Sequence, residues 1–295
     1  MSYAVDNAVI MAAGVSSRFA PLSYEKPKAL VEVNGEILIE RQIRQLKEAG
    51  INEIIVVVGY MKDKLSYLKD KWGVRIVENG DYLTRNNNAS IHAVKEYLGN
   101  TYICSADNYF AENPFEQEVD DSYYAAVYAD GETKEWCMKT DEDGYICDVQ
   151  IGGSNAWYML GHVFWNEEFS RKFIEILDAE YDLPETTDLL WESIYMKHLD
   201  TLKLKMRKYD KDIIFEFDSL DELRAFDTSY VGDTRSVIIK SIASKLACSE
   251  SDITDIVAVK GKPESETIGF EFRYCFSKYI YFYSDNKLEK LKGGT

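Results

Sequence analysis

Apolar runs and charged faces alternate regularly through the first hundred residues. Residues 7–12 (NAVIMA) form an apolar run that predicts a strand covered on both faces. Over 37–49, Ile39, Ile43 and Leu46 fall at helical spacing with charges between them, and Gly50 is a helix stop signal. Residues 53–58 (EIIVVV) predict a second strand bounded by Gly59, and 74–77 a short third. A helix is expected over 90–98, followed by a strand at 101–104 (TYIC) that runs directly into Ser105-Ala106-Asp107-Asn108. This recurring strand–helix order predicts an α/β domain: a Rossmann-like three-layer αβα arrangement on a mixed, mainly parallel sheet.

The middle of the chain reads differently. Segments 122–128, 136–140 and 144–150 predict strands separated by Asp-Gly and Asp-Glu-Asp-Gly turns, hence antiparallel hairpins. Helices are expected over 167–179 and 187–198, then a strand over 212–217 leading into the helix start Asp218-Ser219-Leu220-Asp221-Glu222. Further on, 237–246 has helical spacing, and 256–259, 269–274 and 278–283 predict a small sheet. Charge separates this last part from the rest. Residues 1–227 carry 24 basic and 42 acidic side chains, whereas 228–295 carry 10 and 9. With the polar stretch 228–233 read as a linker, two parts are expected: a domain at 1–227 and a small α+β appendage at 228–295.

Composition narrows the function. With 46% apolar and 29% charged residues among 295, the chain can bury a sizeable core. Its net charge of −17 makes it a poor candidate for duplex nucleic acid or anionic membrane surfaces, because binding there comes from Lys and Arg, and no nucleic-acid partner is expected. No apolar run approaches the roughly 20 residues that span a bilayer, so no membrane insertion is expected. Residues 1–7 carry no basic and apolar leader pattern, and the five cysteines are odd in number and scattered. Both features predict a cytoplasmic protein without a disulfide framework or structural zinc. The three histidines, His92, His162 and His198, lie beside no Ser or Cys in motif context, so a Ser-His-Asp or Cys-His mechanism has no support.

The chemistry concentrates after the first strand, in Ala12-Ala13-Gly14-Val15-Ser16-Ser17-Arg18-Phe19-Ala20-Pro21-Leu22 and then Glu25-Lys26-Pro27-Lys28-Ala29-Leu30. Small residues let backbone N–H groups approach phosphate oxygens. Arg18, Lys26 and Lys28 put three cations into one loop of an acidic domain, at the sheet end where open α/β folds bind nucleotides. The loop is neither a dinucleotide fingerprint nor a Walker loop.

This run resembles the signature of the nucleoside-triphosphate transferases, the pyrophosphorylase and cytidylyltransferase superfamily. Val58-Gly59-Tyr60, Ser105-Ala106-Asp107-Asn108-Tyr109 and Phe215-Glu216-Phe217-Asp218-Ser219 narrow the resemblance to bacterial CTP:phosphocholine cytidylyltransferases, over residues 7–227. The resemblance implies that Gly14, Ser16 and Ser17 hold the triphosphate, that Arg18 contacts its outer phosphates, and that Lys28 stabilises charge at the α-phosphate. It implies base contacts from the Ala12 and Ala13 backbone, Gly59 and the segment containing Asn87 and Ser90. The segment Arg85-Asn86-Asn87-Asn88-Ala89-Ser90 departs from the family pattern.

The acidic residues fit this chemistry independently. Nucleotidyl transfer uses Mg²⁺ to neutralise phosphates, held by one to three carboxylates. Asp107 follows a buried strand, and Glu216 and Asp218 alternate with Phe215 and Phe217, which predicts one face for both acids. The expected metal set is therefore Asp107, Glu216 and Asp218, with helix capping as the other reading of Asp218. A trimethylammonium group is recognised by aromatic faces plus a carboxylate. Trp136 beside Glu135 and Trp191 after Asp188 suit it, and both tryptophans stand where the resembling family places its choline-binding aromatics. Leu190 stands where an aromatic would strengthen the cage, and Tyr158 is expected to compensate.

The expected function is Mg²⁺-dependent transfer of a cytidylyl group from CTP to phosphocholine. One alternative is a different acceptor, another phospho-alcohol or a sugar 1-phosphate. The other is a catalytically silent nucleotide-binding regulatory subunit, against which the intact Arg18, Lys28 and Asp107 argue. Residues 228–295 faintly resemble the opening of a choline-kinase-like amino lobe. They lack a catalytic His-x-Asp loop, since no His follows His198. That part is expected to be a non-catalytic remnant or an assembly element, and its Tyr and Phe residues could serve a homodimer interface.

Overall fold

The computed structural model describes residues 2–262 and 266–291 and divides into two compact units. The first is built from residues 2–14 and 38–216, the second from 15–37 and the described residues beyond 216. No helix among the described residues is long and apolar enough to cross a membrane, and the five cysteines are free.

A seven-stranded sheet forms the first unit: β1 (Asn7–Ala12), β2 (Ile54–Val58), β3 (Arg75–Glu78), β4 (Thr101–Ser105), β5 (Tyr123–Thr140), β6 (Ile146–Trp165) and β7 (Lys205–Tyr209). Their order in space is β7-β5-β6-β4-β1-β2-β3. β1 runs parallel to β2 and β4, and β2 parallel to β3. β6 is antiparallel to both β4 and β5, while β7 is parallel to β5. All five β2 residues are buried, as a β-branched run covered on both faces requires.

Helix α1 (Leu38–Glu48) buries Leu38, Ile39, Ile43 and Leu46, and Gly50 at φ +86° ends it. The same helix also buries Gln42 and Gln45. Gln42 Nε2 donates to the carbonyls of Ser105 and Asn108, each at 2.8 Å, and Gln45 Nε2 to that of Phe110 at 3.1 Å. Thus α1 fixes the turn that carries Asp107. Helices α2 (Asn88–Ala93), α3 (Glu167–Glu180) and α4 (Trp191–Lys197) also belong to this unit. Their core contains Trp165, Phe169, Phe173, Trp191 and Tyr195. Truncating a side chain such as Phe173 to Ala there costs about 3–5 kcal/mol.

Four local expectations differ from the fold. The Asp130-Gly131 turn is not a hairpin: β5 passes through it, with Ala129 opposite Ala156 and Glu132 opposite Ser154. Two residues therefore face one, a bulge in which Gly131 (φ +90°) donates its N–H to Asn155 Oδ1 at 3.0 Å. The hairpin is at Asp141, whose Oδ1 accepts from Asp143 N and Tyr145 N. The helix expected over 90–98 is an α-turn at 88–93 followed by a tighter turn, Lys95–Tyr97. The helix expected from 187 starts only at Trp191, because Leu190 is extended. Finally, the strand expected over 212–217 is reduced to Ile214–Glu216, antiparallel to Asn108–Phe110.

The second unit holds α5 (Leu220–Phe226), α6 (Val237–Leu246) and an antiparallel meander of β8 (Thr254–Lys260), β9 (Thr267–Tyr274), β10 (Ser277–Phe282) and β11 (Lys287–Lys290). The compact units part at 216/217, eleven residues before the shift in charge, and the second unit includes 15–37. Hydrogen bonds explain why. Arg224 of α5 donates to the carbonyls of Ile253 (2.8 Å) and Glu250 (2.7 Å), and Asp227 Oδ2 accepts from Asn34 N at 2.9 Å. Glu25 caps α6, accepting from Ser236 Oγ (2.6 Å), Val237 N (3.1 Å) and Ile238 N (3.0 Å), where a helix N-terminus favours negative charge. The expected linker contains a short helix, Ser229–Gly232, whose buried Tyr230 donates to the Glu32 carbonyl at 2.7 Å.

Candidate active site

A cavity of about 230 Å³ opens in the first unit. β5 lends it Glu135 and Trp136, the start of α4 lends Leu190, Trp191 and Glu192, and the Ile214–Glu216 strand lends Glu216. Two indoles and three carboxylates thus line one small space. Such a lining suits a cation that cannot be satisfied by hydrogen bonds alone. Trp191 is fully buried, stacked on Tyr124 at 5.8 Å and edge-on to Trp165 at 5.1 Å, so it serves the core and the cavity together.

Glu192 is the residue that sequence reasoning missed. Its carboxylate accepts from Asn87 Nδ2 at 3.1 Å and Tyr124 Oη at 3.4 Å. Burial pushes its pKa up to about 7, against the smaller lowering effect of its hydrogen bonds. Asp188, expected to supply the acid, is exposed and does not line the cavity. The reason is the late start of α4, which leaves Asp188 in the preceding segment with its carbonyl accepting from Asn86 Nδ2. The signal available in the sequence was an acid in the first turn after Trp191. Tyr158 is half-buried beside the charges of Glu135 and Glu216 but is not part of the lining, whereas its neighbours Met159 and Leu160 are.

Asp107 lies just past β4, where its Oδ1 accepts from Ser105 Oγ at 2.7 Å. Asn108, the next residue, is directly opposite Glu216 in the two-strand ladder. Asp107 is thus next in sequence to the ladder partner of Glu216, and each of the two acids offers oxygen, the donor type that Mg²⁺ and other hard cations take. Among the described residues no group of three or more acid, imidazole or thiol side chains could hold a metal ion by itself.

The residues expected at the base are mixed in character. Ala12 and Ala13 are buried at the end of β1, and Ala13 O accepts from Tyr60 N at 3.0 Å. Gly59 is required by close approach: a Cβ there would stand 2.7 Å from the Tyr82 ring and 2.9 Å from Ala13 O. Gly14 has open space around it. Ser90 is buried with its hydroxyl taking Asn79 Nδ2 at 3.1 Å. Asn87 is engaged at both amide ends, since Oδ1 accepts from Trp191 N at 2.7 Å while Nδ2 serves Glu192. It braces the cation-type cavity.

In the second unit the loop after Gly14 bends through Ser16 (φ +50°) into the turn Ser17–Phe19. Arg18 Nη1 is 2.5 Å from Asp218 Oδ2, and Lys28 Nζ is 3.4 Å from Asp218 Oδ1. The Arg18 side chain is 76% exposed, so this pair adds little stability; Lys28 is only 4% exposed and lies over the Phe19 ring at 5.7 Å. Asp218 therefore gathers two of the three loop cations, Arg18 and Lys28. It lies beyond the short strand that ends at Glu216, so the shared strand face expected for the two acids is not formed. Ser219, not Asp218, caps α5, accepting from Glu222 N at 3.2 Å.

Comparison with known proteins adds to this geometry. A family model described as the MobA-like NTP transferase domain matches residues 8–130. The choline-phosphate cytidylyltransferase of Streptococcus pneumoniae is 37% identical over 220 residues, covering 75% of this chain and 96% of that protein. The 2-aminoethylphosphonate cytidylyltransferase of Lancefieldella rimae is 36% identical over 234 residues, covering 78% and 95%. The solved structure of the CTP:phosphocholine cytidylyltransferase from Streptococcus pneumoniae superposes with a TM-score of 0.73 at 36% identity, covering 77% of this chain and 99% of that one.

Proposed function

The chain belongs to the nucleoside-triphosphate transferases, among the cytidylyltransferases, and from that membership we propose that it transfers the cytidylyl group of CTP to phosphocholine. A phosphate oxygen of the acceptor attacks the α-phosphorus, the bond to the β-phosphate oxygen breaks, and CDP-choline and pyrophosphate form. The acceptor phosphate is already an anion, so positioning and charge neutralisation carry the reaction without a general base. This is enzymatic work, and the silent-subunit alternative falls away with the family assignment.

Lys28 meets the charge that develops at the α-phosphate, and Arg18 with the Gly14, Ser16 and Ser17 turn receives the outer phosphates. Asp218 keeps Arg18 and Lys28 oriented until phosphate oxygens take its place. Ala12, Ala13, Gly59 and Ser90 form the nucleoside side. Asp107 and Glu216 would hold Mg²⁺, which supplies positive charge to the phosphates when bound.

The observation that carries the acceptor assignment is the cavity of Trp136, Trp191, Glu135, Glu192 and Glu216. Sugar phosphates bring no cation to such a lining. A second reading, an acceptor with a primary ammonium, is favoured by Leu190, which leaves one wall aliphatic beside three carboxylates. Pyrophosphate release should be measured with CTP, UTP, ATP and GTP against phosphocholine, phosphoethanolamine, 2-aminoethylphosphonate and glucose 1-phosphate. CTP with phosphocholine should give the highest kcat/KM. Preference for either primary amine would install the second reading, and equal use of glucose 1-phosphate would remove both.

A further inference from the structure

The loop that holds Arg18, Lys26 and Lys28 is reached by a further cation, and it comes from the C-terminal sheet. Lys260 is the last residue of β8, and its Nζ donates to Ser17 Oγ at 2.7 Å. A second bond of 3.4 Å, to Thr267 Oγ1 at the start of β9, anchors the ammonium from its own sheet. Both partners are hydroxyls. Arg18 and Lys28 each face Asp218, but among the described residues no carboxylate lies within ion-pair distance of Lys260. An ammonium has three donors, so two hydroxyl contacts leave one for an incoming acceptor. A positive charge with no acidic partner among the described residues is thus held at the turn Ser17–Phe19 in a chain of net charge −17.

We propose that Lys260 is a binding residue for the terminal phosphates of the nucleoside triphosphate, delivered to the phosphate loop by β8. The proposal rests on the reading of that loop as the triphosphate site. It also gives the C-terminal sheet a part in the reaction, in place of the non-catalytic appendage expected from sequence. The solved relative accounts for 77% of this chain, so about a quarter of the chain has no counterpart in that match. Lys260 makes the outer-phosphate contact depend on a strand whose next neighbour, β9, holds the lysine in register.

The test uses the full chain with Lys260→Gln and Lys260→Arg. Glutamine can still donate to Ser17 but carries no charge, whereas arginine keeps the charge. Lys260→Gln should raise the KM for CTP about 5- to 20-fold, the scale of one lost charge-assisted contact, and Lys260→Arg should recover most of it. The KM for the acceptor should stay within about twofold, since the acceptor lacks a triphosphate. Direct titration should show Lys260→Gln weakening CTP but not CMP. A Lys260→Gln enzyme with unchanged KM for CTP, or with CTP and CMP weakened alike, would overturn the proposal. Lys28→Ala distinguishes the levels: if Lys28→Ala leaves kcat intact, the loop reading itself fails. If only Lys28→Ala has an effect, Lys260 alone is excluded.

Discussion

Asn87 Nδ2 stands 3.1 Å from Glu192 Oε2, and the same amide accepts the N–H of Trp191, so one side chain orients both an acid and an indole of the cavity proposed for the acceptor. Its partner Glu192 pays for this position with desolvation, which is why its proton is lost only near pH 7.

The first expectation follows from that shift. An acid whose folded pKa is raised binds its proton more tightly in the folded chain, so the associated stability is full below the ordinary carboxylate range. It is lost as pH rises from about 4.5 to about 7. Binding runs the other way, because only the ionised form attracts a cationic acceptor. The KM for phosphocholine should therefore fall as pH rises through about 7, and Glu192→Gln should remove that inflection while raising Tm above pH 7. Comparing the two proteins cancels titration of the acceptor's own phosphate. A parallel pH profile in the variant would exclude Glu192 from the acceptor site.

Trp136→Leu separates packing from cation recognition, because leucine keeps an apolar wall without a π face. Cation–π attraction of about 0.5–2 kcal/mol predicts a rise of roughly 3- to 30-fold in the KM for phosphocholine. The KM for CTP should hardly move. Equal weakening of both substrates would make Trp136 a packing residue.

Lys28 is buried and its charge is met by Asp218 before substrate arrives. Its contribution should be largest where charge develops, so Lys28→Ala should lower kcat by roughly 10²-fold, more than it raises the KM for CTP. Single-turnover rates at saturating CTP would check this. An unchanged rate would reduce Lys28 to a ground-state contact.

The second unit yields a stability expectation. Glu25 takes three donors at the start of α6, so Glu25→Ala should destabilise the chain by about 1–2 kcal/mol through a lost cap. Truncation after Asp227 removes α6 and β8–β11 from the unit that also holds 15–37. Activity should drop sharply while far-UV circular dichroism still reports a folded first unit. Full activity in the truncated chain would show that the phosphate loop stands without this support.

The parallel half of the sheet was legible because both-face burial leaves plain apolar runs, as in Ile54–Val58. The loop cations were legible because a motif fixes their order along the chain. The Asp130-Gly131 bulge was not, since Asp-Gly favours a tight turn and only the partner strand decides between turn and bulge. The place of Glu192 in the cavity was illegible for a similar reason. Spacing suggested a helix from 187, but Asn87, about a hundred residues earlier, caps the chain at Trp191 instead. Nor could charge tallies find the unit boundary: they report solvated surface, whereas Arg224 and Asp227 bind inward.

Gln42 and Gln45 look from sequence like the solvent side of an amphipathic helix, yet their amides carry the carbonyls around Asp107. The position of that acid is thus inherited from a helix some sixty residues upstream. A swap of the 105–110 turn between homologous enzymes would move the carboxylate without its supports unless residues 42 and 45 travelled with it. Surface redesign that replaced either glutamine by lysine to gain solubility would strike the same carbonyls. In this fold the two glutamines and the turn form one inheritable piece, although they are far apart in the gene.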